Sequence, residues 1–199
     1  MTSTNNPSLP PEPAETPPQR NSWLVDVLDI VKLLAFALLL YFLVDKFMLD
    51  RVVVNNISMY PTLKEGEALF VNKLAYKLGS VDRGDIITFH YPLDPSLNFI
   101  KRAIGLPGDL VEIKDKQVWV NGIVLNEPYI ITPSNYTGEW VVPAESVFVL
   151  GDNRVDSADS HIWGFVPFND LVGKAMMVYW PLVRFRVLTH PNLMLAPSQ

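Results

Sequence analysis

Two residues carry most of the chemistry this chain can offer. Ser58 is the only serine in Ser58-Met59-Tyr60-Pro61-Thr62, and Lys101 is the only lysine in Phe99-Ile100-Lys101-Arg102-Ala103-Ile104-Gly105-Leu106-Pro107-Gly108-Asp109. A serine hydroxyl is a poor nucleophile until a neighbouring base takes its proton. A lysine can be that base only where burial strips water from its ammonium and lowers its pKa toward the working pH. Lys101 follows the apolar pair Phe99-Ile100, which suits such a pocket. Together the two motifs predict a Ser/Lys hydrolase. Strand alternation sends Lys101 and Arg102 to opposite faces, one into an apolar cleft while the other stays in water.

A third polar run, Gly151-Asp152-Asn153-Arg154-Val155-Asp156-Ser157-Ala158-Asp159-Ser160-His161-Ile162-Trp163-Gly164, lies between apolar segments. Such polar density beside a core implies internal pairing, and Arg154 with Asp159 or Asp152 would pin the loop by charge-assisted hydrogen bonds. A calcium loop is excluded because Arg154 stands where a ligand belongs and no glycine follows Asp156. Asp159, Ser160 and His161 are consecutive and point apart, so they form no triad, and His161 reads as structural. His90, His161 and His190 lack zinc-ligand spacing, and the chain has no cysteine, so neither metal nor cofactor is implied.

The elements that must position these motifs are short. After Arg51 the chain reads as β-branched and aromatic runs at Ala68 to Asn72, Asp85 to Tyr91, Leu110 to Ile113, Gln117 to Val120, Ile123 to Asn126, Ser146 to Leu150 and Lys174 to Trp180. Asn121-Gly122 between two such runs predicts a tight hairpin, since both residues accept left-handed backbone angles. Arg83-Gly84, Pro107-Gly108 and Gly151-Asp152 mark further turns. Residues 128–142 read as a longer loop or insert. The fold class predicted is mostly β, with antiparallel sheets.

Ahead of this body, residues 1–22 form a proline-rich tail, with six prolines by residue 18, that cannot build a core. Leu33 to Val44 is uncharged, and the apolar texture widens to Val27 to Leu49 if Asp29, Lys32, Asp45 and Lys46 are tolerated, with the anchor as a whole set at residues 23–49. A bilayer core needs about 20 helical residues, so the charges must lie near the interfaces. The segment predicts one uncleaved transmembrane helix, because a long proline-rich tail precedes it and Phe47-Met48-Leu49 is no cleavage site for a signal sequence. Arg20, Lys46 and Arg51 leave its orientation open. Residues 50–190 then form the catalytic domain and 191–199 a tail. With 16 Lys and Arg against 21 Asp and Glu, no basic face is available for nucleic acid.

Taken in order, Ser58-Met59-Tyr60-Pro61-Thr62-Leu63, Arg83-Gly84-Asp85-Ile86-Ile87-Thr88-Phe89, Phe99 to Asp109 and Gly151 to Gly164 resemble the boxes of type I signal peptidases, the membrane-anchored Ser/Lys proteases that remove signal peptides. The resemblance covers residues 23 to 180. It implies Ser58 as nucleophile, Lys101 as general base, Ser157 as the residue that bonds and positions the lysine, and Asp159 and Arg154 as support. Met59, Ile86, Phe89, Phe99 and Ile100 would lie near shallow pockets for small substrate side chains. The implied partners are signal-peptide-bearing precursors and the lipid bilayer, with the body on the extracytoplasmic side of a plasma or other bacterial-type membrane. The chain departs from the family pattern at Asn56-Ile57, where serine and glycine are usual, and at His161, where arginine is common. A carboxamide N–H at Asn56 could still hold an oxyanion. Two other readings share these features: a membrane-tethered binding module of the same fold without activity, and a self-cleaving Ser/Lys peptidase.

Overall fold

The computed structural model describes residues 22–189 together with Pro191 and Leu193. The expected tail up to residue 21, His190 and the rest of the 191–199 segment lie outside the described residues.

A single long helix, α1 (Ser22–Phe47), opens the described chain. Its Leu and Ala content favours helix, and it contains neither Pro nor Gly. Val25–Phe47 has a mean hydropathy of 2.5 and none of its most apolar stretch is buried, so α1 is long and apolar enough to cross a membrane and is not a core helix. Lys32 bonds Asp29 at 3.0 Å one turn away, which lowers the cost of both charges in an apolar segment.

The body is antiparallel throughout. Its strands are β1 (Leu49–Val53), β2 (Ala68–Asn72), β3 (Ile86–Tyr91), β4 (Asp94–Gly105), β5 (Leu110–Lys114), β6 (Gln117–Val120), β7 (Ile123–Val124), β8 (Gly138–Val141), β9 (Ser146–Leu150), β10 (Val166–Pro167), β11 (Leu171–Trp180) and β12 (Arg186–Val187). Two short helices, α2 (Ala75–Leu78) and α3 (Ser160–Trp163), interrupt them. The large sheet runs β1-β2-β11-β3-β4-β9-β10, with β12 against β11, and a second sheet runs β7-β6-β5-β8. Asn121 and Gly122 carry φ of 51° and 77° in the hairpin that joins β6 to β7, as expected of that pair.

The large sheet is covered on both faces. Val54, Met59, Leu63, Leu69, Ile86, Ala175 and Val178 form one buried cluster, and Ile87, Phe89, Ala103, Val147, Val149 and Val166 belong to another. Consecutive Ile86 and Ile87 thus enter different clusters, as a period of two requires. A third cluster, including Val111, Ile113, Val120 and Phe148, lies beneath the small sheet.

Three elements differ from the sequence expectation. β4 is twelve residues long and carries Lys101, although Asp94 to Gly105 is not among the runs expected as strands. Gly138–Val141 of the expected loop is β8, recruited because β5 offers it a free edge. Leu49, taken as the end of the apolar segment, starts β1 by pairing with Asn72.

Candidate active site

Ser58 sits in a run of tight turns that follows β1. Tyr60 N–H donates to Ile57 O at 3.0 Å and Leu63 N–H to Met59 O at 2.8 Å. The side chains of Met59 and Leu63 are fully buried and fasten the turns to the core. Thr62 is held from two sides: its hydroxyl donates to Asp152 at 2.5 Å, and Arg186 donates to its carbonyl at 2.6 Å. Arg186 is in turn fixed by two bonds to the buried carboxylate of Glu67, which it holds below the usual carboxylate range despite burial.

Lys101 reaches this segment from β4. The strand pairs with β3 so that Lys101 lies opposite Ile87 and Arg102 opposite Ile86. Lys101 is 3% exposed, and its Nζ lies 2.6 Å from Ser58 Oγ and 5.5 Å from the centre of the Phe99 ring. Burial pushes the amine down to about 8, against the opposing pull of Asp159 and Asp152. About a tenth of the amine is therefore neutral at pH 7, against far less for a lysine in water, and a base for a serine proton has to be neutral.

Arg102 does not stay in water. It points to the opposite face, as alternation demands, but that face is covered too. The guanidinium is 2% exposed, donates to Asp152 at 2.8 and 2.6 Å and to Gly84 O at 2.8 Å, and lies 3.9 Å from the centre of the Tyr129 ring.

The third motif wraps the Ser58 segment. Asn153 N–H donates to Ser58 O at 3.0 Å and its carboxamide to Ile57 O at 3.2 Å. The expected pairing of Arg154 with Asp159 or Asp152 is not formed. Arg154 bonds both oxygens of Glu127 and, through Nε, Gly151 O at 3.0 Å. Asp152 is taken by Arg102, while Asp159 accepts from Gly151 N–H at 2.9 Å and contacts His161 Nδ1 at 2.5 Å. His161 stacks on Tyr136 at 3.7 Å between ring centres, a structural position. The expected bond from Ser157 to the lysine is not made either: Ser157 Oγ is buried with no hydrogen-bond partner among the described residues.

At Gly151 a methyl group would run into Ser157 Oγ and the Ser58 carbonyl. Gly151→Ala should leave the fold intact but displace Ser58, lowering kcat about 100-fold, as ångström-scale misplacement of reacting groups does. An unchanged kcat with an unchanged melting temperature would show that this packing is slack.

Ser58, Lys101, Asn56 and Phe99 line a recess of about 220 Å³ with Ile57, Asp156 and Ala158. Ile100 and Met59 line a smaller one of about 50 Å³ with Val52, Val54, Asn56 and Asn98. Phe89 faces neither, because it is fully buried against Phe99 and Trp163, so it shapes the wall only through Phe99. Ile86 faces away, into a larger cleft of about 360 Å³ that also holds Thr62, Arg102 and Arg186. Both cations there are already paired, so the larger volume offers less chemistry than the smaller recess. No group of three or more metal-binding side chains gathers among the described residues.

Asn56 completes the site. Its Oδ1 accepts from Ser58 N–H at 3.2 Å and from the Ser58 hydroxyl at 2.8 Å. Sequence reasoning missed Thr62, Arg102 and Asn153, and gave Asp152 the wrong partner. All lie inside the quoted motifs, and the buried Arg102–Asp152 pair could have been sought by asking which acid neutralises an arginine beside an apolar strand.

A protein-family model described as signal peptidase, peptidase S26, matches residues 27–180. The chain is 39% identical over 194 residues to a signal peptidase I of Leptolyngbya laminosa, covering 93% of this chain and 94% of that one. It is 40% identical over 182 residues to a probable signal peptidase I-2 of Synechocystis sp., covering 88% and 81%. Against a signal peptidase I of Bacillus caldolyticus it is 41% identical over 154 residues, covering 70% and 84%.

Proposed function

The chain belongs to the signal peptidase family, peptidase S26, and from that premise we propose that it cleaves signal peptides from exported precursors with Ser58 as nucleophile and Lys101 as general base. The observation that carries this reading is the 2.6 Å approach of a buried, pKa-lowered amine to a buried alcohol. Neutral Lys101 takes the Ser58 proton as Oγ attacks the scissile carbonyl. It then gives the proton to the leaving amine, which leaves an acyl-enzyme, and afterwards takes a proton from the water that releases the product. The Ser58 N–H and the Asn56 carboxamide hold the oxyanion, a donor of this kind being worth about 3 kcal/mol. Ser157, whose buried hydroxyl lacks a partner, turns to the lysine amine when its proton has moved. Asp159 and Arg154 support the loop through Gly151 and Glu127.

Substrate enters as an added strand. β4 is paired with β3 along its length but with β9 only from Arg102 onward, which leaves the edge of Asp94 to Lys101 open beside the recesses. The recesses beside Asn56, walled by Phe99, Met59 and Ile100, suit small side chains at the first and third positions before the cut. α1 anchors the enzyme once through the bilayer, with the body on the extracytoplasmic side, and confinement to one surface raises the effective concentration of a membrane-bound precursor.

Purified protein in detergent, incubated with a model secretory precursor, should yield one new N-terminus after a small residue. Log kcat/KM should rise with unit slope and level off above about pH 8, since only the neutral amine is a base and its fraction grows as pH rises through that value. Absence of cleavage at every pH would favour the binding-module reading instead.

A further inference from the structure

The side chain of Asn56 stands where the carbonyl of a substrate has to go. An N–H can only donate, so the atom facing the Ser58 N–H at 3.2 Å is the carboxamide oxygen. A bond from asparagine to the N–H two residues on is a common local turn. That turn does not require the second bond, at 2.8 Å, from the Ser58 hydroxyl to the same oxygen.

The hydroxyl has a single hydrogen, and two acceptors compete for it. With Lys101 protonated, Nζ donates to Oγ at 2.6 Å and Oγ donates onward to Asn56, so every atom in the chain is satisfied. A neutral Lys101 can keep the same directions, but to act as the base it has to accept, and then the hydrogen turns to Nζ and the bond to Asn56 is lost. Because a charged donor bonds Oγ more strongly than a neutral one, the resting arrangement favours the charged amine and occupies the backbone donor at the same time.

We propose that Asn56 caps the resting site, its Oδ1 filling the oxyanion position and holding the Ser58 hydroxyl away from Lys101 until a substrate carbonyl displaces it. This rests on the dyad reading above and adds a ground-state role to the donor role. Once displaced, the carboxamide turns about its terminal torsion and presents Nδ2 to the oxyanion. Asn56 is exposed on the recess wall, so the turn disturbs no core packing. The charged groups around the amine are Asp159 and Asp152, which act on it, and Asp156 on the recess wall; the Asn56→Ala substitution leaves all three in place.

The test compares wild type with Asn56→Ala, both full-length in detergent with the same precursor. The acid limb of kcat/KM reports the free enzyme and that of kcat the bound complex. Loss of one hydrogen bond that favours the charged amine should move the kcat/KM limb down by about half to one pH unit and leave the kcat limb in place. The 13Cε resonance of Lys101, assigned by its absence in Lys101→Met, should titrate down with it. KM should fall a few-fold, because no cap has to be displaced, while plateau kcat falls about 100-fold from the missing donor. A kcat/KM limb and a resonance that both stay put would overturn the cap and leave the donor role standing. A limb that moves with kcat unchanged would support the cap and remove the donor. The dyad itself is tested separately by Ser58→Ala.

Discussion

Lys101→Met should abolish precursor cleavage, lowering kcat by about 10⁴-fold or more, and should raise the melting temperature of the protein. The first effect would follow from losing the amine that bonds Ser58 Oγ at 2.6 Å, since removal of one member of a catalytic unit typically costs this much. The second follows from linkage. The amine titrates near 8 in the folded chain and near about 10.4 when unfolded, so folding opposes protonation. That cost is fully present below pH 8 and is relieved between 8 and about 10.4, where only the unfolded state holds the proton. Methionine keeps the volume and removes the charge. The gain in stability should therefore be largest near neutral pH and shrink at high pH. Calorimetry beside a precursor assay reads both, and retained cleavage, or a melting temperature that drops, would sink the assignment of Lys101 as a buried base. Ser58→Ala should match the loss in rate without the gain in stability.

Asp152→Ala should be the most damaging single change outside the dyad. It leaves the guanidinium of Arg102, 2% exposed, without its carboxylate, and takes the acceptor from the Thr62 hydroxyl. Stranding one member of a buried ion pair costs about 3–5 kcal/mol, or about 10 °C in a chain of this size. The double variant Arg102→Met with Asp152→Leu removes the stranded charge and should recover most of the stability. It should not recover kcat, because Thr62 still lacks its anchor and Ser58 lies in the same run of turns. A double variant as active as wild type would show that the pair contributes stability alone.

The meeting of Ser58 and Lys101 was legible because each sits in a local motif whose residue types are already unusual, Ser58 before a proline turn and Lys101 after two apolar residues. Strands such as Ala68–Asn72 and Gln117–Val120 were legible for the same local reason, a run of apolar residues bounded by turn residues. What failed was partnership across distance. Arg154 was assigned to acids of its own loop, whereas its carboxylate, Glu127, comes from the segment 27 residues earlier. Nothing local distinguishes Glu127 from a solvated acid. One of Lys101 and Arg102 was expected in water because alternation gives two faces but not their covering, and here both faces carry a core. The first half of β4 was hidden by Pro95, which an edge without a second neighbour tolerates.

The two consecutive cations of β4 make alignment of that strand a chemical matter as well as a packing one. Sliding it by one residue against β3 would exchange them, setting a guanidinium that never gives up its proton against the Ser58 alcohol and stranding the amine beside Asp152. Hairpin length between Tyr91 and Asp94, where the ladder is already irregular, is free to drift without this penalty. A single deletion between Asn98 and Lys101 is not, and should give a protein that no longer cleaves its precursors.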